Sequence, residues 1–139
     1  MGLKVCAAGI LFRNGKILLG KRSAGRDFYP DVWDLPGGHR KDSETPEETL
    51  VRELKDELGI TPIEFKHIAL LHEPKNSTYG EYDYRILLVT DWLGNATNLT
   101  PDEHSEIGWF APADAARGLI WPIRVIRRFF VAFRCNEAI

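Results

Sequence analysis

From its first residues the chain alternates short apolar runs with polar, glycine-rich breaks. Leu3 to Phe12 is apolar and rich in small and β-branched residues, which predicts a largely buried strand. Asn14-Gly15 is a strong two-residue hairpin signal, and Lys16 to Lys21 continues as the returning strand. Asp27 to Asp34, with Phe28, Tyr29, Pro30 and Trp33, reads as a loop leading into Leu35-Pro36-Gly37-Gly38. The period then changes from two to 3.6: Leu50, Val51, Leu54 and Leu58 share one face of a helix. Thr45 is its predicted N-cap, Pro46 its first residue, Glu48 the partner in a T-x-x-E capping box and Gly59 its stop. Ile63 to His72 and Tyr82 to Trp92 read as strands joined by a polar loop, Glu73 to Glu81. After the turn-rich stretch Leu93 to Pro101 come a short strand, Ile107 to Phe110, and a short helix from Pro112 to near Gly118. Pro122 to Phe133 predicts a last helix, with Ile123, Ile126, Phe130 and Phe133 on one side and Arg124, Arg127, Arg128 and Arg134 mostly elsewhere. Strands, helix, strands, helix make an α/β protein whose helices cover a mixed sheet.

The central helix carries the candidate chemistry. Glu53, Asp56 and Glu57 stand at i, i+3 and i+4, so their carboxylates gather on one side. Each like-charged pair costs an isolated helix roughly 0.2–0.5 kcal/mol, and the negative end of the helix dipole adds to it. Arg52, four residues before Asp56, is placed to offset part of that. Periodicity alone leaves two readings, a solvated acidic face and a site for a hard divalent cation with oxygen ligands. Lys21, Arg22 and Arg26 form a basic segment, either a solvated strand end or a set of contacts to phosphate oxygens.

The spacing around the acids tips the balance toward the second reading. From Gly38, Glu44 follows after five residues, and Arg52-Glu53-Leu54-Lys55-Asp56-Glu57-Leu58-Gly59-Ile60 after seven more. This resembles the signature of the Nudix hydrolases, G-x5-E-x7-R-E-U-x-E-E-x-G-U with U aliphatic; Asp56 alone departs from it, standing where the family has Glu. The preceding Trp33 to Gly38 is similar to the W-x-L-P-G-G run that leads into that box. The resemblance implies an α/β/α sandwich around a central mixed sheet, in one domain over residues 1–139. It implies a Mg²⁺ cofactor, with Mn²⁺ as substitute, held by Glu53, Asp56 and Glu57 with a backbone carbonyl at Gly38 or Gly37. It also implies a general base at Glu53 or at a glutamate of the loop before the last strand, where Glu103 and Glu106 both qualify and His104 is a weaker candidate. Arg52 orients carboxylates and Glu44 supports it. Asp56, one methylene shorter than Glu, is expected to ligate through water. The implied reaction is hydrolysis of the pyrophosphate bond of a nucleoside diphosphate linked to another group. A MutT-like cleavage of a nucleoside triphosphate to monophosphate and pyrophosphate is the leading form. Dinucleoside polyphosphates, ADP-ribose and nucleotide sugars are alternative substrates, and a non-catalytic nucleotide-binding module is the alternative function.

Composition narrows the partners. A net charge of −2 and 44% hydrophobic residues fit an ordinary globular domain and give no sign of a nucleic-acid binder, and no stretch approaches a membrane span; the resemblance implies a small-molecule nucleotide substrate, and a homodimer stays open. The C-terminal arginines are read as the solvated face of a packed helix rather than an RNA or membrane surface. Cys6 and Cys135 make neither a disulfide framework nor a zinc motif and, with no secretory signal, are expected in the cytoplasm. Tyr79, Tyr82 and Tyr84 are candidates to flank a base, Trp33 is read as core, and His67 as structural or exposed.

Overall fold

The structure, a computed structural model of the chain, describes residues 3–26, 30–73 and 80–118, with backbone alone described at 73 and 116–118. Phe28, Tyr29, Tyr79, Cys135 and the predicted helix Pro122–Phe133 with its arginines lie outside the described residues. Among the described residues seven strands and two helices follow in the order β1 (Lys4–Arg13), β2 (Lys16–Arg22), β3 (Trp33–Asp34), β4 (Gly37–His39), α1 (Pro46–Leu58), β5 (Thr61–Glu73), β6 (Tyr82–Leu93), β7 (His104–Phe110) and α2 (Pro112–Gly118). The strands form one mixed sheet with the path β3-β2-β1-β6-β5; β4 joins β1, and β7 joins β2. The β1–β6 pairing is parallel, from Lys4 with Tyr82 to Leu11 with Val89, and the other pairings are antiparallel.

The side-chain alternation of the strands feeds two cores, one on each face of the sheet. On one, Leu50, Leu54 and Leu58 of α1 pack on Ala7, Leu11, Leu18, Leu87 and Val89. On the other, Ile10, Ile17, Leu19, Tyr84 and Ile86 pack with Ala115 of α2. The helix begins where its capping residues stand: the Thr45 side chain accepts from the Glu48 amide at 3.1 Å, and the Glu48 carboxylate accepts from the Thr45 amide at 2.8 Å. It ends at Gly59 in the left-handed conformation, φ 70°.

Two expectations change. Trp33–Asp34 and Gly37–His39 are short strands, not loop, because the turn between them lets each find an open partner, β2 and β1. The last strand starts at His104, three residues before the expected start, since β2 is long enough to pair it as far as Arg22.

One consequence of this topology positions the site. Strand β1 changes partner along its length: Phe12 and Arg13 pair with β2, while Cys6–Ala8 pair with β4. Gly37 permits that second pairing. Its φ is +149°, and a Cβ there would lie 2.1 Å from the Ala7 carbonyl oxygen. Where β1 and β2 part, a cavity opens.

Candidate active site

The cavity has a volume of about 270 Å³. Glu53 and Glu57 of α1 meet Glu103 on one part of its wall, and Arg22, Arg26 and Lys41 supply positive charge. The Gly37–Gly38 backbone passes directly under the acids: a Cβ on Gly38 would sit 2.6 Å from the Glu53 carboxyl carbon. The absent side chain is what lets that carboxylate lie against the backbone.

Burial and crowding shape the acids. Glu57 is only 7% exposed and accepts from the Gly37 amide at 3.2 Å. Burial first, and then the charges of Glu53, Glu103 and Asp34, push its carboxyl up to about 8. Burial also raises Glu53, against the pull of Arg52. Arg52 reaches across three partners. Its Nε and Nη2 donate to Glu44 at 2.7 and 2.9 Å, its Nη1 to Glu53 at 2.8 Å and its Nη2 to the His39 carbonyl at 3.0 Å. Those hydrogen bonds hold the Glu44 carboxyl down at about 2. The expected partnership of Glu44 with Arg52 is thus present, whereas Arg52 is engaged with Glu44 and Glu53 rather than with Asp56.

Asp56 is exposed and outside the cavity lining. Consecutive helical residues are about 100° apart, so Asp56 and Glu57 flank Glu53 on opposite sides. Among the described residues no three His, Cys, Asp or Glu side chains stand close enough to form a ready-made metal cage. The single acidic face read from helix spacing is divided: Glu53 and Glu57 line the cavity and Asp56 does not, and the further carboxylates lining it are Glu103 and Asp34. Glu106 is exposed on β7, where it pairs in register with Lys21. A bulge in the β2–β7 ladder between Lys21 and Arg22 accompanies this separation of Glu103 from Glu106. Lys21 lies outside the cavity lining, while Arg22 and Arg26 line it. Arg26 also donates to the Glu103 carbonyl at 3.1 Å and approaches its carboxylate at 3.8 Å.

The rest of the wall includes Cys6, Asp34, His39, Tyr82, Tyr84 and His104. Tyr82 and Tyr84 stack at 5.6 Å, nearly parallel, and His39 leans on Tyr82. Asp34 is buried, accepts from the Leu35 amide at 2.8 Å and faces Arg22 at 3.8 Å; burial pushes its carboxyl up to about 7. The Cys6 thiol is pushed up to about 12 by burial and stands 3.5 Å from His39 Nδ1, so it is no nucleophile at neutral pH. Of these residues the sequence signalled only Tyr82, Tyr84 and His104. Lys41, Asp34 and His39 are ordinary polar residues until the strand pairing brings them together. Trp33 packs edge-on against Phe110 at 4.9 Å, and His67 is exposed.

The donor chemistry fits a hard divalent cation. The acids at the cavity offer oxygen, Glu57 among them is raised by burial first and then by its acidic neighbours, and the Gly38 backbone lies against Glu53.

Comparison with known proteins agrees. Residues 3–129 match the family model of the NUDIX domain. The chain belongs to the Nudix family. It is 31% identical over 130 residues to the CTP pyrophosphohydrolase of Escherichia coli K12, covering 91% of this chain and 90% of that one. It is 35% identical over 123 residues to the 8-oxo-dGTP diphosphatase of Haemophilus influenzae, covering 78% and 84%. The solution structure of the E. coli ORF135 protein superposes with a TM-score of 0.79 at 27% identity, covering 99% of this chain and 93% of that chain. The α/β Nudix arrangement expected from the box is therefore the fold of this chain. Among the described residues no helix is long and apolar enough to cross a membrane.

Proposed function

We propose that this Nudix protein is a Mg²⁺-dependent hydrolase that cleaves a nucleoside triphosphate to the monophosphate and pyrophosphate, with Mn²⁺ able to replace Mg²⁺. The observation that carries this reading is the two-signed wall of the cavity, with Glu53, Glu57 and Glu103 together with Arg22, Arg26 and Lys41. The nucleotide-hydrolysing relatives support the substrate class. A polyphosphate needs cationic partners along its length and a metal-binding acid set at the bond that breaks.

Glu53, Glu57 and Glu103 would hold the cation with a backbone carbonyl at Gly37 or Gly38, and Asp56 would add charge through water. When bound, the metal neutralises phosphate charge, polarises the phosphoryl group and lowers the pKa of water. The protein's own groups do the rest. Arg22 and Arg26 bind phosphate oxygens, with Lys41 beside them. Arg52, fixed by Glu44, sets the angle of the Glu53 carboxylate. Glu53 takes the proton from the attacking water, since Arg52 holds one of its oxygens and fixes the angle of the carboxylate. Glu103 serves the cation, so Glu103→Gln is expected to lose less activity than Glu53→Gln. Tyr82 and Tyr84 offer a flat apolar wall for the nucleoside.

A screen of nucleoside triphosphates, dinucleoside polyphosphates, ADP-ribose and nucleotide sugars, reading phosphate and pyrophosphate separately, tests this. Pyrophosphate release from a triphosphate, absent without divalent metal and reduced about 100-fold or more in Glu57→Gln, is the expected result. Full turnover by Glu57→Gln would refute the mechanism.

A further inference from the structure

A second, much smaller cavity lies behind Glu57. Its volume is about 10 Å³, the room of a single water molecule. Its lining is mostly apolar, with Leu18, Leu19, Pro36, Leu58 and Ile107, and Glu57 and His104 also line it. Those same two residues also line the main cavity. Glu57 accepts the Gly37 amide on Oε1, and its Oε2 has no hydrogen bond among the described residues. The His104 ring likewise makes none among them. Asn98, also on the lining, is committed elsewhere: its Nδ2 donates to the His104 carbonyl at 2.7 Å, and its Oδ1 accepts from the Thr100 amide at 3.3 Å. Its role is to hold the backbone that carries the ring.

The ring's position is fixed from the other side by Gly20. A Cβ on Gly20 would lie 2.9 Å from His104 Cδ2, so the glycine leaves the place that the imidazole fills. Gly20 has no positive φ to explain it, and the three atoms nearest to the position of a Cβ there all belong to the His104 ring.

We propose that His104 is a positioning residue for Glu57: its imidazole and the free Glu57 oxygen share one buried water in the small cavity, which fixes the carboxylate at the cation site. The water donates to the carboxylate and exchanges its second hydrogen bond with a ring nitrogen. A carboxylate so held presents one defined geometry to a metal, and removing such outer partners costs about 10–100-fold in metal affinity or activity.

The inference rests on the proposed cation site, and the experiment separates the two. Mn²⁺ binding to the nucleotide-free protein is measured by electron paramagnetic resonance for wild type, His104→Ala, His104→Gln and Gly20→Ala, with thermal melting in chelator alongside. Absence of Mn²⁺ binding by wild type would overturn both the cation site and this inference. With wild-type binding established, His104→Ala is expected to bind Mn²⁺ about tenfold more weakly. Gly20→Ala, which displaces the ring without removing it, is expected to copy that loss. His104→Gln, which keeps a polar group at the cavity, is expected to stay within about threefold of wild type. Equal Mn²⁺ affinity in wild type, His104→Ala and Gly20→Ala would overturn the positioning role alone. So would a loss in His104→Ala matched by His104→Gln. If His104→Ala fails to fold, Gly20→Ala decides.

Discussion

At the scale of single residues, Gly38 decides where the Glu53 carboxylate can lie. Its backbone lies where any larger residue would press on Glu53, with a Cβ 2.6 Å from the carboxyl carbon. Gly38→Ala therefore shifts the carboxylate by a substantial fraction of an ångström. Steady-state kinetics on that variant are expected to show turnover lowered about 100-fold, the penalty for misplacement near 1 Å, with the melting temperature little changed. At the same scale the acids predict a pH dependence. Glu57 is raised from 4.5 to about 8 and Asp34 from 3.8 to about 7, both mainly by burial. A carboxyl raised in the folded state binds more protons folded than unfolded, so stability is lost as pH rises between the two values. His104 is lowered by burial from 6.5 to about 4 and acts with the opposite sign, but only below 6.5. Between pH 6.5 and 8 the two acids dominate. Calorimetry on metal-free protein is expected to show stability falling across that window by about 1–3 kcal/mol, with the slope reduced in Glu57→Gln. Stability rising over the window would contradict the burial of these groups.

At the scale of elements, α1 carries its own instructions. The capping box, the buried Leu50, Leu54 and Leu58 and the left-handed Gly59 all stand where the sequence places them. Thr45→Ala removes the side-chain acceptor for the Glu48 amide, and chemical denaturation is expected to register a loss of about 1 kcal/mol. An unchanged midpoint would show that the cap is dispensable. The acids of the helix were legible as a set, but their division was not. Placing three residues on one side of a helix does not say which of them meets the sheet, and Asp56 falls on the solvent side because α1 docks through its leucine stripe. The choice between Glu103 and Glu106 was hidden for a related reason. Glu103 lines the cavity while Glu106 pairs with Lys21 of β2, and that pairing between distant strands does not follow from local spacing.

At the scale of the whole molecule, the sheet assembles a site from residues that are unremarkable in sequence. Arg22 ends β2, Asp34 belongs to β3, His39 to β4, Tyr82 and Tyr84 to β6, and all reach one cavity because β1 exchanges β2 for β4 midway. The strand sequence and the box were readable from the chain; that exchange, which opens the cavity, was not, because it depends on which edges remain available after β6 has paired with β1. The same sheet brings the cationic residues Arg22 and Arg26 to face the glutamates of α1. The claim on which everything else depends is that Glu53 and Glu57 gather a divalent cation in that cavity. Diffraction from crystals soaked in Mn²⁺, measured at the manganese absorption edge, tests it directly. An anomalous peak within coordination distance of both carboxylates is the predicted result, and a cavity without one, while both side chains are ordered, would contradict it.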